Sequence, residues 1–169
     1  FLRYHGALPV DGLLADLGVS FHQFDEGGRG FSFRFDSELD MRMDQDQGLH
    51  ARDVLNTYPE AGLHKIFGIY GEIKNARTLA REIVGYREKN KITKTGQLLE
   101  VIDQCTRPTD NKNKYRALVF QALRMEVNDE TGSLKKMLKQ ALEVLKPGGR
   151  MVVISYHSLE DRLVKNFFK

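Results

Sequence analysis

Two short stretches of the chain carry side chains that could do chemistry. Asp16 comes near the end of the apolar run Val10–Leu17, which is punctuated by glycines and is typical of a strand buried on both faces of a parallel sheet. His157 lies in the octet Ser155–Arg162, directly after the apolar run Met151–Ile154. Because open α/β sheets bind ligands at the carboxyl ends of their parallel strands, we expect Asp16 and His157 to face one crevice.

The same residues also have purely structural interpretations. Asp16 could cap the following turn. Ser158 and Asp161 fit a capping box that would begin a final helix, with His157 just before the cap. A Ser-His-Asp hydrolase would need a nucleophile elbow, which the sequence lacks, and a zinc site would need more histidine and cysteine ligands. No metal site is therefore predicted.

A loop of about thirty residues follows Gly18 and is rich in glycine and phenylalanine. Loops of this length are usually functional or disordered, and a disordered loop would carry fewer aromatic side chains. The sequence therefore predicts an ordered loop that faces a ligand.

After the loop, apolar residues recur at helical spacing from Ala51 to Thr106. The helix ending at Lys146-Pro147-Gly148-Gly149 and the strand Met151–Ile154 form half of an α/β crossover. We therefore predict a helical insertion between two strands of one sheet. The predicted domains are residues 1–50 and 113–169, which form the sheet, and residues 51–112, which form the insertion.

Several segments closely resemble the bacterial ribosomal RNA small-subunit methyltransferase H family (MraW). The resemblance covers Asp16-Leu17-Gly18-Val19-Ser20, Arg29-Gly30-Phe31-Ser32-Phe33, Leu39-Asp40-Met41-Arg42-Met43-Asp44 and the octet Ser155–Arg162. It implies part of a Rossmann-like methyltransferase sheet with an all-helical insertion domain. The implied reaction is N4-methylation of a cytosine in the decoding region of small-subunit ribosomal RNA, with S-adenosyl-L-methionine as cofactor.

The resemblance also implies roles for individual residues. It assigns Asp16 and Gln23 to the cofactor site, and whether Asp16 also contacts the base stays open. The natural acceptors for the cytosine amine are Asp16 and the backbone carbonyls after it, while His157 could orient the base or relay a proton. Phe31, Phe33 or Tyr156 could stack on the unstacked base, although aromatic residues in such a loop are as often core. The predicted RNA-binding residues are Arg29, Phe31, Arg34, Lys74, Arg77 and Arg81.

The charge distribution agrees with an RNA partner. Residues 60–116 hold 12 Lys and Arg against 7 Asp and Glu, whereas residues 1–59 hold 5 against 10. Lys74, Arg77 and Arg81 are predicted to form one stripe along a single helix, although a solvated helix surface is the commoner cause of such a charge excess. The single cysteine, Cys105, has the spacing of a small core residue.

Two departures from the family pattern keep a second interpretation open. The sequence has neither the glycine-rich cofactor loop nor the later strands of a methyltransferase sheet. Lys114–Val119 also stands where the family carries other residues before its Phe-Gln pair, so no role is carried over to it. We therefore expect this chain alone to bind S-adenosyl-L-methionine weakly or not at all. The rival interpretation is a non-catalytic RNA-binding or assembly module. The expected setting is cytoplasmic, without a membrane span, with the small ribosomal subunit as partner and a homodimer left open.

Overall fold

The computed structural model describes residues 2–18, 28–46, 48–107 and 111–169. Within these residues it contains two strands and seven helices. In chain order the elements are β1 (Val10–Asp16), α1 (Ala51–Thr57), α2 (Glu60–Ile69), α3 (Ala76–Arg87), α4 (Thr95–Cys105), α5 (Lys112–Val127), α6 (Glu130–Val144), β2 (Leu145–Ile154) and α7 (Ser158–Phe167). None of these helices is long and apolar enough to cross a membrane.

The two strands form a parallel pair, with Leu14 opposite Val152 and Asp16 opposite Ile154. Six described helices, α1 to α6, lie between these paired strands in the chain. The predicted α/β class, with a helical insertion between two strands of one sheet, is confirmed. The register is irregular between Val10 and Gly12, opposite the part of β2 that contains Pro147, Gly148 and Gly149.

Among the described residues, only one face of the sheet is covered by helices. The prediction that the strand around Asp16 is buried on both faces was therefore wrong. Leu134 and Leu138 of α6 and Val164 of α7 form a small core against Met151 and Val153. The alternate side chains point the other way, and Leu14 is 69% exposed and Val152 53% exposed. The apolar run around Asp16 was expected to be buried on both faces, but only two described strands and one layer of helices are present to bury it.

The described residues between 28 and 129 form a second compact unit around their own core. Leu63 and Phe67 of α2, Leu79 and Ile83 of α3 and Leu98 of α4 are completely buried there. The core also includes buried residues from outside the predicted insertion 51–112, namely Phe31, Leu39 and Met41 before it and Val119, Phe120, Ala122 and Leu123 after it. The compact unit is therefore wider than the predicted insertion, because flanking apolar side chains complete its core.

Candidate functional site

Asp16 and the octet meet at the carboxyl end of the two-stranded sheet. The parallel register places Asp16 opposite Ile154, and the Leu17 N–H continues the ladder by donating to the Ile154 carbonyl over 2.9 Å. The segments that follow β1 and β2 therefore leave the sheet at the same edge, which is where open α/β sheets bind ligands. The structure thus brings the two predicted stretches together.

Tyr156 is the residue that contacts Asp16. Its hydroxyl donates to Oδ1 of Asp16 over 3.1 Å, and this hydrogen bond raises the pKa of Tyr156, so the phenol stays protonated at neutral pH. Gly18 adopts a φ of +112°, and a Cβ built there would lie 3.6 Å from the Tyr156 ring. The ring therefore lies beside the open glycine backbone, and Tyr156 remains 74% exposed.

This pairing was missed at the sequence level, where Tyr156 was considered only as a ring that could stack on a base. The residues of the pair are 140 positions apart. The available signal was the predicted parallel pairing of the two apolar runs. This pairing brings Tyr156, two residues beyond β2, close to Asp16 at the end of β1. Register could not be fixed from the pattern of apolar residues alone.

His157, not Ser158, is the N-cap of α7, so the predicted capping box is wrong. Nδ1 of His157 accepts a hydrogen bond from the Leu159 N–H over 3.2 Å, and the Asp161 N–H donates to the His157 carbonyl over 3.0 Å. The helix begins one residue too early for Ser158 to cap it, and the Asp161 carboxylate instead accepts from Lys165 over 2.8 Å. A ring nitrogen here takes the place of the usual cap oxygen.

The cap fixes what His157 can offer a substrate. A nitrogen that accepts a hydrogen bond carries no proton, so the neutral ring holds its proton on Nε2. Nε2–H can donate to a substrate atom.

The predicted RNA-binding residues of the loop have mixed placements. Phe31 is 5% exposed and lies in the helical core, and Phe33 packs edge-on against Phe120 with ring centroids 5.6 Å apart. Phe31 is therefore not available to stack on a base, and the core alternative holds for it. The guanidinium of Arg29 lies 5.2 Å from the Phe31 ring and donates to the Arg42 carbonyl, so Arg29 serves internal contacts. Arg34 is exposed.

The Leu39–Asp44 motif is tied to the end of α5 by Asn128, which the sequence reading missed. Asn128 accepts from the Met43 N–H over 2.7 Å and donates to the Met41 carbonyl over 2.8 Å. Within the motif, burial acts to raise the pKa of Asp40, but the hydrogen bonds and charge of Arg42 hold it below its ordinary value. Met41 is completely buried at a φ of +59°. The motif is thus an ordered segment with a fixed backbone.

The three cations predicted to share one helix do not all lie on it. Arg77 and Arg81 are exposed on α3, but Lys74 precedes the helix, which begins at Ala76. The prediction of a single helical stripe is therefore wrong for Lys74, because the turn before Ala76 interrupts the helix. Arg81 forms an ion pair with Glu82 at 3.1 Å. The side chains of Lys74 and Arg77 form no hydrogen bond or ion pair with another described residue.

The remaining predicted residues add no further chemistry. Gln23, predicted to bind the cofactor, lies outside the described residues. Cys105 packs half-buried against the helical core, and burial raises the pKa of its thiol to about 11, so almost no thiolate forms at neutral pH. The ranges that the structure describes contain no group of three or more His, Cys, Asp or Glu side chains that could hold a metal ion.

Comparison with known proteins agrees with the sequence and the fold. The chain is 57% identical to the ribosomal RNA small subunit methyltransferase H of Parabacteroides distasonis, over all of this chain and 55% of that protein. It is 56% identical to the protein of that name from Flavobacterium johnsoniae, over all of this chain and 56% of the relative, and 54% identical to the one from Cytophaga hutchinsonii, over 99% and 56%. The chain spans somewhat more than half the length of these relatives. A model of the MraW methylase family matches residues 2–169, and the chain belongs to that family.

Proposed function

We propose that this chain supplies the strand-end site of an S-adenosyl-L-methionine-dependent methyltransferase that modifies N4 of a cytosine in small-subunit ribosomal RNA, in its decoding region. The observation that carries the proposal is the Asp16 carboxylate at the carboxyl end of β1, which accepts a hydrogen bond from Tyr156. His157 follows the neighbouring strand β2 at the same end of the sheet. Membership of the MraW methylase family and the names of the relatives support the same activity.

The proposed cofactor fits the chemistry of the residues that are described. S-adenosyl-L-methionine supplies an electrophilic methyl group when bound, and it is positively charged at its sulfonium and at its amino group. Asp16 is an exposed carboxylate, and Gly18 leaves the backbone beside it without a side chain. A carboxylate next to an open backbone suits a cationic ligand. Asp16 is accordingly the proposed ligand, and Gln23 stays a predicted one.

The cytosine amine sets the catalytic demand on Asp16. The N4 lone pair is delocalised into the ring, so the amine becomes a nucleophile only as an N–H proton is drawn away from it. Tyr156 occupies Oδ1 of Asp16, and Oδ2 accepts no hydrogen bond from another described residue. In the proposed step, Oδ2 of Asp16 accepts the N4–H hydrogen bond and takes up that proton as the bond between N4 and the methyl carbon forms. The bond between the methyl carbon and sulfur would break at the same time, with neutral S-adenosyl-L-homocysteine as the leaving group.

His157 and Tyr156 are the proposed positioning groups. With its proton on Nε2, His157 can donate to O2 or N3 of the cytosine, and this contact would orient the base without moving a proton. The exposed Tyr156 ring can stack on an unstacked base. Of the three aromatic residues considered from the sequence, Tyr156 therefore replaces Phe31 as the proposed stacking residue.

The second compact unit, formed by the described residues between 28 and 129, is the part of the chain that we propose binds RNA phosphates. Lys74 and Arg77 are exposed, and Arg34 adds a third exposed cation, whereas Arg81 is partly neutralised by Glu82. Such cations hold the RNA backbone without reading its sequence. The small ribosomal subunit is the proposed partner and the cytoplasm the proposed setting. A homodimer stays a prediction.

A chimera tests the proposed activity. The matching stretch of the Parabacteroides distasonis relative is replaced by this chain, and the purified protein is given small-subunit ribosomal RNA and S-adenosyl-L-methionine. Mass spectrometry of the digested RNA should find N4-methylcytidine. A folded chimera that transfers no methyl group, or one that methylates a different atom, would contradict the proposal, and RNA binding without methylation would favour the non-catalytic alternative.

A further inference from the structure

A cavity of about 520 Å³ opens in the second compact unit, and none of its lining residues is assigned to methyl transfer above. It is lined by parts of α2 with the residues flanking it and by the end of α5, and the lining combines aromatic, apolar and charged side chains. The lining residues are Tyr58, Gly62, Lys65, Ile66, Ile69, Tyr70, Glu126 and Asp129. From this lining we infer that the cavity binds a cationic amine or guanidinium group.

The acidic side of the cavity is fixed in place. The Tyr58 hydroxyl donates to Oε1 of Glu126 over 2.9 Å. Burial and the Glu126 charge both raise the pKa of Tyr58, so this phenol remains a donor at neutral pH. Oε2 of Glu126 accepts no hydrogen bond from another described residue. A second carboxylate, that of Asp129, also lines the cavity.

Two helix ends add negative potential at the same place. Ile69 is the last residue of α2, and Glu126 stands in the last turn of α5, which ends at Val127. The carboxyl end of a helix carries partial negative charge because its last carbonyls lack intrahelical partners, and this favours cations. The helix ends and the carboxylates therefore act in the same direction.

Aromatic and apolar walls suit a cation that is partly desolvated. Tyr58 and Tyr70 both line the cavity, and Ile66 forms a buried part of its wall. A cation over an aromatic face is attracted by the ring quadrupole, and the methylene stem of a lysine, arginine or polyamine can lie along apolar side chains. A phosphate would be repelled by the carboxylates, although the surrounding residues 60–116 are basic overall.

Lys65 is the one lining residue that opposes a cation, and it makes the test directional. If the cavity binds cations, Lys65→Gln should tighten binding and Glu126→Gln should weaken it. If the cavity binds phosphate or the RNA backbone, Lys65→Gln should weaken binding and Glu126→Gln should strengthen it. Glu126→Gln keeps an oxygen that can accept from Tyr58, so the wall of the cavity is preserved.

The experiment titrates the whole 169-residue chain with spermidine, N-acetyl-arginine amide, cytidine monophosphate and inorganic phosphate in turn. Binding is followed through the Gly62 amide in NMR spectra. We expect spermidine or the arginine derivative to shift this signal, with Glu126→Gln weakening binding about three- to fivefold and Lys65→Gln strengthening it about twofold. Binding of both cations indicates a general amine site, and binding of the arginine derivative alone indicates a protein side chain as the source.

Glu100→Gln is the matched control, because Glu100 accepts from the Tyr86 hydroxyl over 3.0 Å in a similar tyrosine–glutamate pair that does not line the cavity. This variant should bind the cations like the unchanged chain. The inference is overturned if neither cation shifts the Gly62 signal, if Glu126→Gln and Glu100→Gln behave alike, or if cytidine monophosphate or phosphate binds in place of the cations. None of these readouts depends on methyl transfer, so the result stands apart from the proposed activity.

Discussion

Replacing Lys74 and Arg77 together by glutamine should weaken RNA binding and flatten its dependence on salt. Both side chains are exposed, and neither forms a hydrogen bond or ion pair with another described residue. They can therefore contact phosphates without first breaking an internal interaction. Arg81 is left unchanged because it would have to leave Glu82 to do the same.

The size of the effect follows from counterion release. Each phosphate contact contributes about 0.7 to 0.9 to the slope of log affinity against log salt. Between about 50 and 200 mM salt, one contact therefore accounts for roughly a threefold change in affinity. Losing two contacts should reduce the salt slope by about 1.4 to 1.8 and shrink the affinity change over this range roughly tenfold. Arg81→Gln should have a smaller effect, because its charge is already partly neutralised.

Fluorescence anisotropy with a labelled fragment of small-subunit ribosomal RNA measures the RNA affinity at four or more salt concentrations, from which the salt slope is obtained. The matched control replaces Lys136 and Lys139 by glutamine, which removes the same charge from exposed positions on α6 in the other compact unit. The control lowers the net charge equally but should leave the slope nearly unchanged. Melting temperatures of both variants should stay close to that of the unchanged chain.

The reasoning is refuted if the Lys74 and Arg77 variant keeps the affinity and the salt slope of the unchanged chain. In that case the positive charge only solvates the helix surface. Equal losses in both double variants would also count against it, because they would show a general effect of net charge without a localised phosphate-binding surface.

Three further changes test other parts of the account. Tyr156→Phe should lower methylation by the chimera about three- to tenfold at an unchanged melting temperature, because it removes only the hydrogen bond to the strand-end carboxylate. Asn128→Ala should lower the free energy of unfolding by about 1 to 3 kcal/mol, whereas Asn90→Ala at an exposed turn should change it by less than about 0.5 kcal/mol. His157→Ala should destabilise α7 by about 1 kcal/mol, as thermal unfolding would show.

Much of the architecture was accessible from the sequence because apolar periodicity follows local geometry. The helical residues after Ala51 and the strand Met151–Ile154 were predicted and are confirmed. The parallel pairing of β1 and β2 followed from an α/β crossover with an insertion. The predicted helices depend on apolar residues three or four positions apart, and the predicted strands depend on local runs of apolar residues.

The features that escaped prediction depend on long-range contacts or on one residue of helix phase. Whether Phe31 stacks or packs depends on the helices that surround it, and the loop sequence does not contain that information. Asn128 and Tyr156 act on segments 85 and 140 residues away. The choice between His157 and Ser158 as the cap turned on a shift of one residue in the start of α7.

The most direct test of the central claim is the methylation rate of a chimera carrying Asp16→Ala. If this carboxylate accepts the amine proton and binds the cofactor, the turnover should fall by about a hundredfold or more. Asp11→Ala is the control, because Asp11 is an exposed carboxylate at the other end of the same strand, where it pairs with Lys146. Its turnover should stay close to that of the unaltered chimera. Normal turnover of the Asp16 variant would contradict the assignment of the site.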